Sequence, residues 1–477
     1  MLLGQTAINF AANIISAAFG LLNVLIFTRL FAPAEFGIYV LGAGFAAIAS
    51  TFMTTWLRLP IMRRHARDDG TDIRGIIVPG LVLSSLLTPV AYFGSLLAGL
   101  TSGAAIAAAG LAMAIGLFET GQELLRARLQ AFTVMKATIV RAVLITVLGV
   151  AFTILGRTGL VLLVSSALAY LLAAMISTRI AWAGTKISYN REQLLGLAKA
   201  GIPLTLSLTL LAFSSLIDRF IIAHLIGSAK AGEFTAGADL VRQSLIIPAV
   251  SASAAFFPLS VQIYANQGHS AVRFHLEECL EFLFAIILPA CVGFAIVSGP
   301  IANVVLGADF RSMAIAVMPI VSVAVIFQIL SYQYLHISFL LSERNSFYLL
   351  NAGSALIVNV IISYLLIQRM GAVGAAWGRL AAEIFSFCCA LLLSRWSFPM
   401  PVPFGRMTRV LIATITMAIV VRSLELGLNL SDKDALAIVL PGGVGTYLTM
   451  CWILDIAKCR HRINRGLMIM RNALVRG

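Results

Sequence analysis

Charged side chains are scarce in this sequence. Of 477 residues only 11% are Asp, Glu, Lys or Arg, while 60% are hydrophobic. Soluble domains carry about 25% charged residues, so this composition excludes an ordinary soluble protein. The formal net charge is +14, but the basic residues lie between apolar runs rather than on one solvated face. That distribution argues against a nucleic-acid partner.

The sequence also lacks the motifs of metal and catalytic sites. Its six Cys residues form no CxxC pair, and its six His residues form no HExxH cluster. A glycine-rich phosphate loop and a nucleophile-plus-base signature are missing as well. We therefore predict no catalytic residues, no metal site and no enzyme.

Long apolar runs are what the sequence does contain. A membrane helix needs about 20 apolar residues, and fourteen runs reach that length. The loops between them are too short for a folded domain. We predict an all-α polytopic membrane protein with spans near residues 6–28, 36–57, 75–98, 104–125, 137–156, 159–179, 199–223, 232–262, 279–299, 312–340, 348–367, 371–394, 408–426 and 435–456.

Lysine and arginine are concentrated in alternate loops. With the amino terminus in the cytoplasm, 24 of the 34 lie in cytoplasmic segments and 7 in external ones. The positive-inside rule therefore predicts that both termini are cytoplasmic. The last stretch, 457–477, is a basic cytoplasmic tail that we expect to contact anionic lipid.

An internal repeat relates the two halves of the chain. At an offset of 195 positions, residues 27–43 (FTRLFAPAEFGIYVLGA) match residues 222–238. The offset spans six predicted helices, so the two copies have the same orientation. We predict an N-terminal six-helix lobe (1–198), a C-terminal six-helix lobe (199–395) and two additional helices (396–456), with a central cavity between the lobes. The matched pairs include Gly37 and Gly232, Asn23 and Asp218, and Arg29 and His224.

The segment from Lys199 to Gln243 holds unusual charge. It is predicted as two apolar helices joined by a short glycine-containing turn. A charge at the middle of a membrane helix costs about 2.5–3.5 kcal/mol, so its four charges should face a bundle interior or a wet cavity. Two interpretations stay open: Asp239 and Arg242 pair to fix the bundle, or the guanidiniums bind an anionic head group while carboxylates hold them. The four are Asp218, Arg219, Asp239 and Arg242.

A polar stripe runs along the first predicted helix and ends near Arg29. Its residues recur every three or four positions and so share one helical face. Such a face either bonds to a neighbouring helix or lines a cavity, and both interpretations stay open. The stripe consists of Gln5, Asn9, Asn13, Ser16, Gly20 and Asn23.

Two further charged groups are predicted to be structural. Arg379 and Glu383 are spaced i,i+4 and should pair with each other. Glu119 and Glu123 precede Arg126 at the expected cytoplasmic end of the fourth span, where interface contacts are favoured over a proton relay.

Three stretches resemble a known family: TRLFAPAEFGIYVLG, the Asp218-Arg219 pair with the following AGEFTAGADL, and RMGAVGAAWGRLAAE. Over nearly the whole chain the sequence resembles polysaccharide flippases of the multidrug/oligosaccharidyl-lipid/polysaccharide exporter superfamily. The resemblance implies flipping of undecaprenyl-diphosphate-linked oligosaccharide to the periplasmic leaflet for O-antigen, capsule or exopolysaccharide assembly. It also implies a bacterial inner membrane, contact with membrane lipids, and a polysaccharide polymerase and chain-length machinery as partners.

The resemblance also assigns residues. Arg29 and Arg58 are the nearest matches to cations that contact pyrophosphate, whereas His224 stands where the repeat would place a second Arg29. No cofactor is expected; coupling to H⁺ or Na⁺ stays open, with Asp218 and Asp239 as candidates. The predicted substrate-binding set is Asn9, Asn13, Asn23, Arg29, Arg58, Asp218, Arg219, Asp239, Arg242 and Gln243.

Alternative functions remain at this point. A cation-coupled small-molecule exporter of the same superfamily predicts a cavity dominated by carboxylates. A membrane polysaccharide polymerase or ligase predicts a sizeable external loop, which the sequence lacks, and a structural scaffold would tolerate neutral residues at the buried charges.

Overall fold

The computed structural model describes residues 2–65, 74–182, 189–254, 256–427 and 431–459. Within these helices the side chains of 2–11, 13, 59–60, 62–65, 200 and 345 fall outside the description. The described chain contains α-helices, short 3-10 turns and one π-helical turn, with no strand in these ranges. The all-α prediction is confirmed.

The described residues form seventeen α-helices, numbered here in chain order. They are α1 Leu2–Leu30, α2 Pro33–His65, α3 Arg74–Ser85, α4 Thr88–Leu97, α5 Ser102–Ala127, α6 Ala131–Ala151, α7 Gly159–Ala181, α8 Arg191–Ile226, α9 Ser228–Ser253, α10 Phe256–Ile296, α11 Ser298–Val305, α12 Ala308–Leu330, α13 His336–Leu341, α14 Asn345–Met370, α15 Ala372–Trp396, α16 Phe404–Gly427 and α17 Asp432–Ile453.

Apolar length confirms a multi-pass membrane protein. Among the described residues, twelve helical stretches are long and apolar enough to cross a membrane, and Ile14–Leu30 is a shorter apolar helix. One of the twelve, Ser228–Ile296, is 69 residues long, whereas the sequence predicts separate spans there. The count of fourteen stays a prediction.

The span predicted at 75–98 is confirmed as one apolar stretch, Arg74–Leu97. It consists of two helices, because α3 ends at Ser85 and α4 begins at Thr88 with a proline in its first turn. Proline has no N–H to continue a helix but suits the first turn of a new one. The loop predicted at 263–278 is part of α10, which is interrupted only at Gly268, with φ +79°. Glycine adopts this left-handed conformation without a steric penalty.

The chain divides into two compact units. The first unit comprises Met1–Leu240, Leu306–Met313 and Val360–Ala375, and the second comprises Val241–Val305, Ala314–Asn359 and Ala376–Gly477. This division follows contacts within the folded chain, whereas the predicted lobes follow the sequence repeat, so the two divisions need not coincide. The predicted boundaries at 198, 395 and 456 therefore stay predictions, and residues 460–477 of the basic tail lie outside the described residues.

Small side chains let the helices of the first unit approach closely. The α5 segment from Ala104 to Ala112 is rich in alanine and packs against Leu41, Ala46 and Met53 of α2. Without a hydrophobic driving force between helices in lipid, close van der Waals contact is what holds them. This packing fixes α2, whose side chains enter the site described below.

The repeat is visible in the backbone of the first unit. α2 begins at Pro33 and α9 at Ser228, which match at the predicted offset of 195. A Cβ atom on Gly37 would lie 1.9 Å from the carbonyl oxygen of Ser228, and one on Gly232 would lie 2.4 Å from that of Pro33. Each glycine therefore contacts the first residue of the helix in the other copy. A reciprocal contact of this kind is what two copies related by a two-fold axis make.

We predict that Gly37→Ala and Gly232→Ala each destabilise the protein by about 1–3 kcal/mol, because the added methyl group must push one helix backbone away from the other. Gly110→Ala is the matched control, since no atom lies within 4 Å of a Cβ there and alanine favours a helix. Thermal unfolding in detergent measures the difference. Equal midpoints for all three variants would contradict the backbone contact.

Candidate functional site

The charged hairpin forms as the sequence predicts. α8 ends at Ile226 and α9 begins at Ser228. Gly227 between them has φ +97° and its N–H donates to the Ala223 carbonyl. The turn brings residues about 20 positions apart onto adjacent helices.

An ion pair joins the two helices of the hairpin. Arg219 Nη2 on α8 lies 2.5 Å from Asp239 Oδ1 on α9, and the side chains are only 13% and 23% exposed. In the sequence analysis, a pair between Asp239 and Arg242 on the same helix is one of two open interpretations. The structure gives Asp239 a partner on the neighbouring helix, so this carboxylate orients a guanidinium across the hairpin.

Tyr39 connects that ion pair to α7. Its side chain is half-buried, hydrogen-bonds Ser166 and lies within electrostatic range of Arg219, Asp239 and Tyr170. Tyr39 comes from α2, so four helices, α2, α7, α8 and α9, contribute polar groups at one place.

Arg141 extends the same group of polar residues into α6. Its Nη1 donates to the Tyr170 hydroxyl at 3.3 Å. Its guanidinium lies 5.2 Å from the centroid of the Tyr170 ring and 5.4 Å from that of Phe118. We call Arg141, Tyr170, Tyr39, Ser166, Arg219 and Asp239 the tyrosine-bridged cluster.

Arg141 differs from the other arginine of the cluster in having no carboxylate. In the part of the chain that the structure describes, no Asp or Glu forms an ion pair with it, and its buried Nε has no hydrogen-bond acceptor. Arg141 is the central residue of α6, about 15 Å from each end at 1.5 Å per residue. A cation at that depth calls for either a wet surface or an anionic ligand.

The sequence misplaces Arg141 because it misplaces the start of the helix. The apolar run indicates a span from about residue 137, which puts Arg141 at a cytoplasmic edge. The helix begins at Ala131, because the preceding turn is made by Leu129 with φ +58°. The rings of Phe118 and Tyr170 could not be assigned to Arg141 from spacing alone, since they lie on other helices.

Arg58 and Arg29, which the family resemblance assigns to substrate binding, have different environments. Arg58 on α2 forms an ion pair with Glu119 on α5, and it donates to the Thr55 hydroxyl at 2.7 Å. Glu119 is thus an interface residue, as predicted. Arg29 is exposed in the last turn of α1.

The polar stripe of α1 is bonded to a helix at its outer end. Thr146 on α6 donates to Asn23 Oδ1 at 2.6 Å, which is the helix-bonding interpretation of the stripe for that residue. The side chains of Asn9 and Asn13 lie outside the described residues. Elsewhere in the predicted set, Asp218 is buried at 7% exposure, while Arg242 and Gln243 are half-buried. Substrate contact for all these residues stays a prediction.

Two carboxylates of the first unit escaped the sequence analysis. Glu35 Oε2 accepts the Gly159 N–H at 2.7 Å and so caps the start of α7. Glu233 is only 8% exposed and pairs with Lys230 at 2.8 Å. Both lie within the repeated stretches, and this position is the feature of the sequence that could have drawn attention to them.

The second unit contains the predicted local pair. Arg379 Nη2 lies 2.9 Å from Glu383 Oε1 on α15, which confirms that these residues pair with each other. Among the residues that the structure describes, no three His, Cys, Asp or Glu side chains are grouped to hold a metal ion.

Each unit also has a cavity. One of about 390 Å³ in the first unit is lined by the end of α8, including His224, and by Tyr364. One of about 400 Å³ in the second unit is lined almost entirely by apolar side chains of α10, α12, α15 and α16, including Phe284, Phe387 and Leu411.

We predict that Arg219→Ala and Asp239→Ala each cost about 1–3 kcal/mol of stability, because each leaves a half-buried charge unpaired. The double variant should cost less than the sum. Unfolding of the four proteins in detergent gives the coupling energy. The more exposed pair Arg422 and Glu425 is the control, where coupling below about 1 kcal/mol is expected. Coupling no larger at Arg219 and Asp239 would contradict the structural importance of this pair.

Comparison with known proteins identifies the fold. The solved structure of the lipid II flippase MurJ, in an inward closed conformation, is similar with a TM-score of 0.79 and 14% identity over 94% of this chain and 99% of that chain. A multidrug resistance MATE family transporter of the MOP superfamily is similar in its inward-facing form, with a TM-score of 0.59 and 18% identity over 86% of this chain and 96% of that chain. Its outward-facing counterpart gives a TM-score of 0.57 and 16% identity over the same shares.

Sequence comparison identifies the family. No curated protein sequence matches the chain significantly. A family model described as polysaccharide biosynthesis protein matches residues 26–315, which is more than half of the chain. The chain therefore belongs to the polysaccharide biosynthesis protein family and has the fold of the MOP superfamily transporters.

Proposed function

We propose that this protein is a flippase for an undecaprenyl-diphosphate-linked oligosaccharide. It moves the diphosphate-sugar head from the cytoplasmic to the periplasmic leaflet of a bacterial inner membrane, in support of O-antigen, capsule or exopolysaccharide assembly. Membership of a polysaccharide biosynthesis family supports this proposal. The fold shared with a protein described as a lipid II flippase supports it too.

The observation that carries the proposal is the position of Arg141. Its charge lies at the middle of a membrane helix and has no carboxylate partner among the described residues. Such a charge is expensive in lipid, and a diphosphate that binds there would offset the cost. Arg219, which Asp239 holds in a fixed orientation, supplies a second guanidinium in the same cluster.

The chemistry of the cluster fits a diphosphate. A guanidinium presents parallel N–H donors that match two phosphate oxygens, and an aromatic face restricts its plane. The rings of Phe118 and Tyr170 provide that restriction for Arg141. The tyrosine hydroxyls add neutral donors, so the head group can exchange water for several protein hydrogen bonds at once.

The rest of the substrate requires a different surface. A diphosphate-sugar head cannot cross about 30 Å of hydrocarbon without a polar route, whereas a polyprenyl tail is stable in lipid or on apolar side chains. Alternating access exposes the polar site to each leaflet in turn. An inside-negative potential favours outward movement of the anion by about 2.3 kcal/mol per charge per 100 mV.

The sign of the charge separates this proposal from a cation-coupled multidrug exporter. A site for cationic drugs needs a carboxylate without a partner. In the tyrosine-bridged cluster the carboxylate Asp239 is paired, and the group without an ionic partner is the guanidinium of Arg141. That arrangement favours an anionic substrate.

We predict that Arg141→Ala slows flipping about 10- to 150-fold, the loss expected when a hydrogen bond to a charged group worth about 1.5–3 kcal/mol is removed. Arg141→Lys should flip at an intermediate rate, because lysine keeps the positive charge but lacks the parallel N–H donors of the guanidinium. Arg157→Ala, which changes an exposed arginine in a loop, is the control. The measurement is the leaflet distribution of the lipid-linked sugar in cells. Full activity of Arg141→Ala would exclude this residue from the binding site.

Deletion of the gene tests the function itself. The lipid-linked sugar should accumulate in the cytoplasmic leaflet, because the head group has no other polar route. Arg219→Ala and Arg242→Ala should insert normally yet fail to restore flipping in the deletion strain. A normal leaflet distribution, with only polymer length altered, would rule out the proposed function.

A further inference from the structure

The first copy of the repeat makes a tight contact near the end of α1. The hydroxyl oxygen of Thr28 accepts the Gly307 N–H at 3.2 Å. A Cβ atom on Gly307 would lie 2.0 Å from the Thr28 carbonyl oxygen. The junction between α11 and α12, where Gly307 lies, is therefore closed against the end of α1.

The second copy leaves the equivalent place open. At the offset of 195, Thr28 corresponds to Ala223, which has no hydroxyl group to accept a hydrogen bond. The corresponding junction lies between α4 and α5, because each junction joins the third predicted span of its lobe to the fourth. Gly99 at this junction has φ +87° and no atom within 4 Å of a Cβ position. Gly99 and Ala223 both line the cavity of about 390 Å³ in the first unit, a volume within the range of about 300–1,000 Å³ for small-molecule sites.

Three polar side chains of the cavity wall have no protein partner. His224, Ser228 and Tyr364 line the cavity, and their side chains form no hydrogen bond or ion pair with any residue that the structure describes. An imidazole, a hydroxyl and a phenol supply both donors and acceptors. They are therefore available to a ligand that carries hydroxyl groups.

The rest of the wall is apolar and aromatic. Phe220 on α8 and Tyr364 on α14 supply rings, while Leu41, Ile217 and Ile221 supply aliphatic groups. Among the described lining residues there is no Lys, Arg, Asp or Glu. The charges of a phospholipid head group would thus have no counter-ion here, and an acyl chain would leave the three polar groups unsatisfied. A sugar suits both kinds of surface, because its ring has apolar C–H faces and a rim of hydroxyl groups.

The cavity lies next to the proposed diphosphate site. Phe220 directly follows Arg219 of the tyrosine-bridged cluster, and Ala223 is four residues from Arg219 and so lies on the same face of α8. His224 is five residues from Arg219, about 7.5 Å along the axis at 1.5 Å per residue. A sugar that is bonded directly to a diphosphate at the cluster is within that reach.

We propose that this cavity binds the sugar residue adjacent to the diphosphate of the lipid-linked substrate. The rings of Phe220 and Tyr364 contact the sugar ring, and His224 and Ser228 form hydrogen bonds with its hydroxyl groups. This inference rests on the proposed flippase function and adds a basis for selectivity. The guanidiniums of the cluster bind the diphosphate that all such lipids share. The cavity distinguishes one sugar from another, because a missing hydroxyl group leaves a polar group of the site unpaired.

The test measures the binding of two probes to full-length protein in nanodiscs of phosphatidylethanolamine and phosphatidylglycerol. One probe is the lipid-linked sugar extracted from the deletion strain, and the other is undecaprenyl diphosphate, which has no sugar. The wild type should bind the sugar-bearing probe more tightly. His224→Ala and Tyr364→Phe should each weaken binding of that probe about 2- to 10-fold, as expected for the loss of one hydrogen bond. Neither substitution should change binding of the sugar-free probe.

Matched variants separate the cavity from the cluster and from the rest of the surface. Tyr364→Leu removes the ring as well as the hydroxyl group, so it should weaken binding of the sugar-bearing probe more than Tyr364→Phe does. Arg141→Ala should weaken binding of both probes, because it acts on the diphosphate. His269→Ala and Tyr189→Phe change exposed residues outside the cavity and should bind both probes as the wild type does.

The two probes also distinguish failure of the sugar site from failure of the proposed function. Equal affinity of the wild type for both probes would overturn the sugar site, and so would variants of His224 and Tyr364 that bind the sugar-bearing probe normally. A loss that is equal for the two probes would show that the cavity binds another part of the lipid, which also overturns the proposal. If the wild type binds neither probe, the flippase function itself fails. Retained binding of the sugar-free probe shows that each variant is folded.

Discussion

The cost of placing charge in hydrocarbon governs the interior of this protein. Arg58 with Glu119, Arg219 with Asp239 and Arg379 with Glu383 each form an ion pair. Such pairs contribute little net stability, but the loss of one partner is costly, so they hold the orientation of the helices that carry them. Against this background, Arg141, which rests on two aromatic rings and a tyrosine hydroxyl, is the guanidinium for which we propose an anionic ligand.

The two units use polar groups in different ways. In the first unit, charged side chains and tyrosines from α2, α6, α7, α8 and α9 meet in one cluster, which suits recognition of a charged head group. In the second unit, the buried network around His336 consists of an imidazole, an amide and two hydroxyl groups, with no carboxylate or guanidinium in it.

The sequence was informative wherever the deciding interaction is local. Apolar length predicted the helical membrane fold, and the i,i+4 spacing predicted the pair of Arg379 and Glu383. Contacts between helices could not be predicted, because Asp239 meets Arg219 only after the turn at Gly227 has formed. The depth of Arg141 was missed because it depends on where α6 begins, and Thr133 and Lys136 in the first turns of that helix concealed its start at Ala131.

The contact between the repeated stretches involves main-chain atoms. Gly37 meets the carbonyl of Ser228, and Gly232 meets that of Pro33, so neither glycine position has room for a side chain. The atoms that the glycines meet belong to the main chain, which every residue has, so the contact constrains the identity of Ser228 and Pro33 less than that of the two glycines. The matched positions Asn23 and Asp218, or Arg29 and His224, lie outside this contact and carry different chemistry.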